Sequence, residues 1–246
     1  MINRYLIFRT DRIGDFLLTA ILINSIKRND SKSIITIVSS EKNYNYIKSF
    51  KNIDEVILLK NDLFNKIKLI KNLRSIYFNY IIVHDLKKRS FLITLFLKYK
   101  FKIVPNKNLN ISYINNIYEI LLKLGFNFNQ SDLNTLTQRH DYYPSGFYNN
   151  DFILFHFDEK WIHSNYILEY TNIEPTRDDL ITFINLLLLN SNKEIIITTG
   201  VDCPVVLDNI VDNNFSNRVK IYKDLDFLHL ESLISKCKLL ISCHGS

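Results

Sequence analysis

Seven consecutive residues, Arg9-Thr10-Asp11-Arg12-Ile13-Gly14-Asp15, bring together two guanidinium groups, two carboxylates and a glycine. A carboxylate fixed at the start of a helix can take a proton from a hydroxyl group, so Asp15 is the candidate general base and Asp11 the fallback. The competing role for Asp15 is structural, since a carboxylate there also meets the free N–H groups of a helix start. Arg9 and Arg12 could grip an anionic group through paired N–H donors. Gly14 would let a ligand come close to the backbone. Two later segments offer complementary chemistry. Lys160 stands beside Trp161, the chain's single tryptophan, and an ammonium there could offset charge on a departing group. At the end of the chain, Gly245 and Ser246 could present N–H groups and a hydroxyl to phosphates, with His244 adding charge when protonated.

Short apolar runs alternate with helical patterns around these segments. Strands are predicted at Tyr5–Phe8, Ile34–Val38, Val56–Leu59, Tyr80–Val83 and Phe101–Val104. Helices are predicted at Asp15–Lys27, Glu41–Ser49, Asp62–Leu73, Lys88–Lys98 and Tyr113–Leu124. This rhythm implies a parallel sheet covered on both faces, and the strands lack the alternation of half-exposed ones. Residues 126–150, rich in Asn, Asp, Ser and aromatics and holding Pro144-Ser145-Gly146, read as an interdomain segment. A second series follows: strands Phe152–Phe157, Glu194–Thr198, Val219–Tyr222 and Leu239–Ser242, with helices near Asp178–Leu189, Val205–Val211 and Leu228–Cys237. Thr176 before Asp178 and Asp179 reads as a capped helix start. The fold class is therefore α/β, with an N-terminal domain at 1–125 and a second at 151–246. Leu239–Ser242 reads as an inner strand with no covering helix after it, so the second domain is expected to be incomplete at its C-terminal end.

The chain has five glycines, and Gly14, Gly200 and Gly245 each follow a predicted strand, on the rim where open parallel sheets bind ligands. The net charge of +6 and pI near 9.0 suit anionic small molecules, lipid or nucleic acid. Tyr and Phe are not interleaved with Arg, so no nucleic-acid partner is expected. There is no Gly-x-x-x-x-Gly-Lys and no Gly-x-Gly-x-x-Gly, which argues against P-loop and common dinucleotide sites. Three cysteines without a Cys-x-x-Cys pair give neither a disulfide framework nor a zinc site. Asp224-Leu225-Asp226 reads as a surface loop after a strand in preference to a metal-binding Asp-x-Asp. Neither a metal nor a cofactor is expected, and the expected location is the cytoplasm. Lys87-Lys88-Arg89 with Lys98, Lys100 and Lys102 bracket the apolar run Phe91–Leu97. The favoured reading is a core helix with a solvated basic end; the other is peripheral contact with the inner face of the cell membrane.

Three segments together resemble glycosyltransferase family 9, the ADP-heptose:lipopolysaccharide heptosyltransferases and their relatives. Arg9 to Thr19, with its Gly14-Asp15 pair, is similar to the family's opening loop. Phe155 to Trp161 is similar to the start of its second domain, and Leu240 to Ser246 to a donor-binding loop. His84-Asp85-Leu86 resembles an Asp-Leu at the end of an N-domain strand. The resemblance implies a GT-B-like architecture of two Rossmann-like domains, with Arg9, Arg12 and Gly14 at the acceptor and Asp15 as base. It implies Lys160, His244, Gly245 and Ser246 at the donor, and inversion without a dedicated metal. The implied reaction moves a sugar, heptose among the candidates, from a nucleotide-sugar donor such as ADP-heptose to a cell-surface glycan or glycolipid of lipopolysaccharide type. His244 departs from the family, where an acid is common, and leaves the donor open. The alternatives are a non-catalytic nucleotide- or glycan-binding module and, third, a nucleotide-sugar epimerase.

Overall fold

The computed structural model describes residues 2–106, 112–135, 151–157, 175–200, 203, 205–207, 210, 215 and 217–242. The chain divides into two compact units, Met1–Tyr142 and Tyr143–Ser246. Each is built on a parallel sheet.

In the first unit the elements run β1 (Arg4–Phe8), α1 (Ile13–Asn29), β2 (Ile34–Ser39), α2 (Tyr44–Ile47), β3 (Glu55–Leu58), α3 (Leu63–Leu73), β4 (Tyr77–Val83), α4 (Lys88–Thr94), β5 (Lys98–Ile103) and α5 (Tyr113–Leu124). The sheet order is β3-β2-β1-β4-β5. Tyr5 to Phe8 are fully buried because β1 lies at the centre with helices on both faces. Leu6, Phe8, Ile81 and Val83 pack with Leu69 and Leu73 of α3 and with Ile93 and Leu97, so α3 and α4 cover one face. Tyr5, Tyr80 and Phe101 stack across β1, β4 and β5, with ring centroids 5.0 and 5.6 Å apart.

Two predicted helices differ from the structure. Lys88–Lys98 stops at Thr94. The N–H groups of Leu95, Phe96 and Leu97 turn to carbonyls three residues back, which tightens and ends the helix. Lys98-Tyr99-Lys100-Phe101-Lys102-Ile103 then alternates with period two and pairs with β4 from Tyr77↔Lys98 onward. The Glu41–Ser49 helix is cut to α2, with Asn43 Oδ1 accepting from Ser40 N at 3.0 Å in the turn before it. The predicted helix Val205–Val211 lies partly outside the described residues, within which Val205–Leu207 form a 3₁₀ turn and Ile210 is helical.

The stretch after α5 belongs to the packing of the first unit. Gly125, at φ 72°, ends α5 in the left-handed conformation that suits glycine. Asp132, 3% exposed, then docks on α1. Its carboxylate accepts from Ser25 Oγ at 2.7 Å and from Arg28 Nε and Nη2 at 2.9 Å each.

In the second unit β6 (Phe152–Phe157), α6 (Arg177–Asn190), β7 (Glu194–Thr199), β8 (Val219–Tyr222), α7 (Phe227–Lys236) and β9 (Leu239–Ser242) give the order β8-β7-β6-β9. β6 is buried on both faces: Ile153, Phe155 and Phe157 point into one cluster, Phe152 and Leu154 into another. Thr176 caps α6 as its sequence indicates, accepting from Asp179 N while Asp179 accepts from Thr176 N and Oγ1. Asp226 is the N-cap of α7, accepting from His229 N at 2.9 Å, so the Asp224-Leu225-Asp226 stretch starts a helix.

Burial is the largest influence on Asp132 and by itself would raise its pKa. Hydrogen bonds from Arg28, Ser25 and Asn129 N, with the Arg28 charge, more than reverse it and hold the carboxyl below its ordinary value. A lowered carboxyl adds stability above its unfolded pKa and loses it as pH falls through the folded one. Asp132→Asn should therefore cost about 2 kcal/mol at neutral pH by urea titration. The difference from wild type should close below about pH 4.

Candidate functional site

In the first unit the strand order reverses between β1 and β4, which places a crevice at their carboxyl ends. Four loops converge on it. Thr10, Asp11, Arg12 and Asp15 come from the end of β1 and the start of α1; Ser40, Glu41 and Lys42 follow β2; Leu59 and Asn61 follow β3; Lys87 and Arg89 follow β4. Together they line a cavity of about 510 Å³. Four cations and three acids in one concavity suit a polyhydroxylated ligand that carries negative charge.

Arg9 organises this rim. Its Nε and Nη2 both donate to Asp15 O, at 2.9 and 2.6 Å, and Nη1 donates to Asp11 Oδ2 and to His84 O, each at 3.0 Å. At 5% exposure these bonds replace water around the buried cation. The expected role of Arg9 at the acceptor is therefore corrected: its donors are engaged inside the protein, and it is absent from the cavity lining. Arg12 does line the cavity, and Lys42, Lys87 and Arg89 join it.

Asp15 stands in the first turn of α1 and borders the cavity. Arg12 has no side-chain acceptor, so only half of a capping pair forms: Arg12 N donates to Asp15 Oδ2 at 3.3 Å. The capping role is thus present but weak, and the carboxylate keeps acceptor capacity on the cavity side. Asp11 is more enclosed. Burial pushes its carboxyl up; the Arg9 cation pulls the other way, and Asp15 and Asp85 push up again. Asp11 Oδ1 and Arg89 Nε are buried and have no hydrogen-bond partner among the described residues.

Asp85 forms the second anchor. Its Oδ2 accepts from Thr10 Oγ1 at 2.6 Å and Ser90 Oγ at 2.7 Å, and Oδ1 accepts from Lys87 N at 3.2 Å. These bonds hold Leu86 in the left-handed region at φ 53°, a strained conformation for a non-glycine residue. Arg89 Nη2 donates to Thr10 O and Oγ1, and its Nη1 to Asn61 Oδ1 at 2.6 Å, joining three of the loops. His84 is kept neutral, its pKa drawn down to about 3 by burial and then by the Arg9 charge. Its Nδ1 lies 2.9 Å from Thr19 Oγ1.

Gly14 has no left-handed φ, and a Cβ added there would meet nothing within 4 Å. The backbone thus does not demand glycine at this position, which leaves ligand access as its distinguishing property.

In the second unit β6 lies between β7 and β9, with His156 opposite both Thr198 and Ser242. His156 Nδ1 is 3.0 Å from Thr198 Oγ1. Lys160, His244, Gly245 and Ser246, the candidate donor contacts, lie outside the described residues, as do Trp161 and Gly146. In sequence Lys160 follows β6 and His244 follows β9, two strands that pair side by side. Among the described residues no group of three or more His, Cys, Asp or Glu could hold a metal ion. No described helix is long and apolar enough to cross a membrane.

No family model and no curated protein sequence matches the chain. Solved structures do. E. coli heptosyltransferase WaaC with ADP superposes with a TM-score of 0.71 at 13% identity, covering 97% of this chain and 81% of that one. A family 9 glycosyl transferase from Veillonella parvula gives 0.65 at 14% identity, covering 98% and 75%. A putative UDP-N-acetylglucosamine 2-epimerase from Listeria monocytogenes gives 0.54 at 10% identity, covering 100% and 75%. At such identities the likeness defines the fold, which is α/β and GT-B-like with two Rossmann-like units. The fold alone does not choose between the chemistries it supports.

Two substitutions probe this geometry. Arg9→Lys should lower stability by about 3 kcal/mol in urea titration, because an ammonium cannot reproduce the fork and leaves buried acceptors unpaired. Gly14→Ala should stabilise the fold by about 0.5–1 kcal/mol through helix propensity. The same change should weaken binding of a saccharide that passes close to the backbone, read as a higher KM.

Proposed function

We propose that this protein is an inverting glycosyltransferase that moves a sugar from a nucleotide-diphosphate donor to an anionic cell-surface glycan or glycolipid, with ADP-heptose the first donor to test. The observation that carries the reading is the cavity in the first unit, where Asp11 and Asp15 stand among Arg12, Lys42, Lys87 and Arg89. The fold supports it, since the superposable WaaC structure contains ADP.

The chemistry assigned to these residues follows from charge. The acceptor hydroxyl gives its proton to a carboxylate as its oxygen bonds to the anomeric carbon from the face opposite the diphosphate. The bond from that carbon to the diphosphate breaks with its electron pair, and the nucleoside diphosphate leaves. We assign the base to Asp15, from the match of Gly14-Asp15 to the family's opening loop, with Asp11 as the fallback. Arg12, Lys42, Lys87 and Arg89 would hold acidic groups of the acceptor. The segments containing Lys160 and His244-Gly245-Ser246 would take the donor diphosphate, with Lys160 stabilising its developing charge. In this assignment the unit Met1–Tyr142 binds the acceptor and the unit Tyr143–Ser246 the donor, on the cytoplasmic side of the membrane.

The likeness to an epimerase favours a second reading, in which the sugar is isomerised and nucleotide is released without an acceptor. Nucleotide release by the full chain should be measured for ADP- and UDP-sugars with and without glycan acceptors. Acceptor-dependent release is expected. Acceptor-independent release with an altered sugar would establish the epimerase, and binding without turnover would establish a non-catalytic module. Asp15→Asn should lower kcat roughly 100- to 10,000-fold. Asp11→Asn should have a smaller effect on kcat in the same assay, because it removes a carboxylate that lines the cavity but is not the assigned base.

A further inference from the structure

The positive charge of this chain is concentrated in one stretch. Residues 60–104 carry eleven Lys and Arg against two acids, Asp62 and Asp85, so the stretch bears +9 while the whole chain bears +6. The remainder is therefore net negative at −3. Of the two acids, Asp85 is buried and satisfied, which leaves Asp62, the N-cap of α3, as the one acid exposed among these cations. This stretch builds α3, β4, α4 and the edge strand β5.

The same stretch exposes large apolar side chains. Leu63, Phe64 and Ile67 on α3, with Leu92, Leu95 and Phe96 on and just after α4, are 57–76% exposed. They are not core residues left loose. Leu69, Leu73, Ile93 and Leu97 of the same segments are buried against the sheet, so the six lie on the outward side of the α3–α4 layer. The Phe91–Leu97 run is thus only partly a core helix, which corrects the favoured sequence reading. The starts of α3 and α4 are held together by Arg89 Nη1 donating to Asn61 Oδ1, two residues before Leu63. Asn61 and Arg89 also line the cavity, so the apolar surface begins at its edge. Lys60, Lys68, Lys88, Lys98, Lys100 and Lys102 are exposed along the same stretch.

We propose that the α3–α4 surface with the lysines of β5 docks on an anionic lipid bilayer, the six apolar side chains entering the headgroup boundary and the lysines meeting lipid phosphates. Apolar insertion combined with cationic attraction is how a protein without a membrane-spanning helix holds a bilayer surface. Nucleic acid is a poorer match, because four of the six side chains are aliphatic and offer no ring for base stacking. The proposal does not depend on the chemistry of the cavity. It would place the cavity mouth near the headgroups, within reach of a lipid-borne acceptor.

The test is flotation of the purified full chain with vesicles, which reads no catalytic step. The chain should float with phosphatidylethanolamine–phosphatidylglycerol vesicles, remain behind with phosphatidylcholine vesicles, and be partly released by salt. Lys68→Glu/Lys88→Glu/Lys98→Glu should weaken binding to the anionic vesicles on the order of a hundredfold, from about fivefold per cation removed. Phe64→Ser/Leu92→Ser/Phe96→Ser should weaken it comparably. All six positions are exposed and outside the cavity lining, so melting temperatures should match wild type. Absence of flotation with anionic vesicles, equal flotation of the variants, or displacement of the chain from vesicles by single-stranded RNA would overturn the proposal.

Discussion

A buried guanidinium holds the candidate site together. Arg9 sits at the end of the central strand, where neither face of the sheet offers it water. Its position is tolerable only because a carboxylate and two carbonyl oxygens receive its N–H groups in place of solvent. The consequence is positional. By fixing the carbonyl of Asp15, Arg9 fixes the first turn of α1 and so the place where the Asp15 side chain leaves the helix. By pairing with one oxygen of Asp11 it fixes that carboxylate, whose other oxygen is buried with no hydrogen-bond partner among the described residues.

Asp85 does for the β4 side what Arg9 does for the β1 side. A buried carboxylate gathers a hydroxyl from each of two elements and an amide from its own turn, and the turn keeps a leucine at positive φ. Arg89 then closes the rim against Thr10 and Asn61. Asp11, Asp85 and Arg89 are thus each positioned by neighbouring groups, which is how a polar site is held in shape before a ligand arrives. Loops positioned only by their own flexibility could not keep three carboxylates and four cations in one concavity.

The chain distributes its charge unevenly, and the two surface properties of residues 60–104 point the same way. A basic stretch alone is ordinary in a sequence rich in Lys, and exposed leucines alone are ordinary on helices. Their coincidence on one outward layer, beginning at the edge of the cavity, is less easily explained by composition. A transferase acting on a glycolipid would gain from such a surface, because its acceptor is confined to the same plane.

Much of the architecture was legible in the chain itself. Strand and helix periodicity, the Thr176 cap and the burial of Tyr5–Phe8 follow from local chemistry, and local chemistry is read along the sequence. The turn between β1 and α1 was legible too, since a short polar segment with one glycine separates the apolar run from the helical pattern. What sequence could not assign was the direction of each long side chain. Arg9 and Arg12 are equivalent as residue types, yet one is buried as a clamp and the other lines the cavity, because only the assembled sheet decides which donor meets a carbonyl. Lys42, Asn61, Lys87 and Arg89 are 45 or more residues apart at their extremes in the chain, and they share a wall only because parallel strands bring their carboxyl ends to one edge. Likewise Leu92 and Ile93 are neighbours of equal hydropathy, and the tertiary fold alone sent one to the core and the other to the surface.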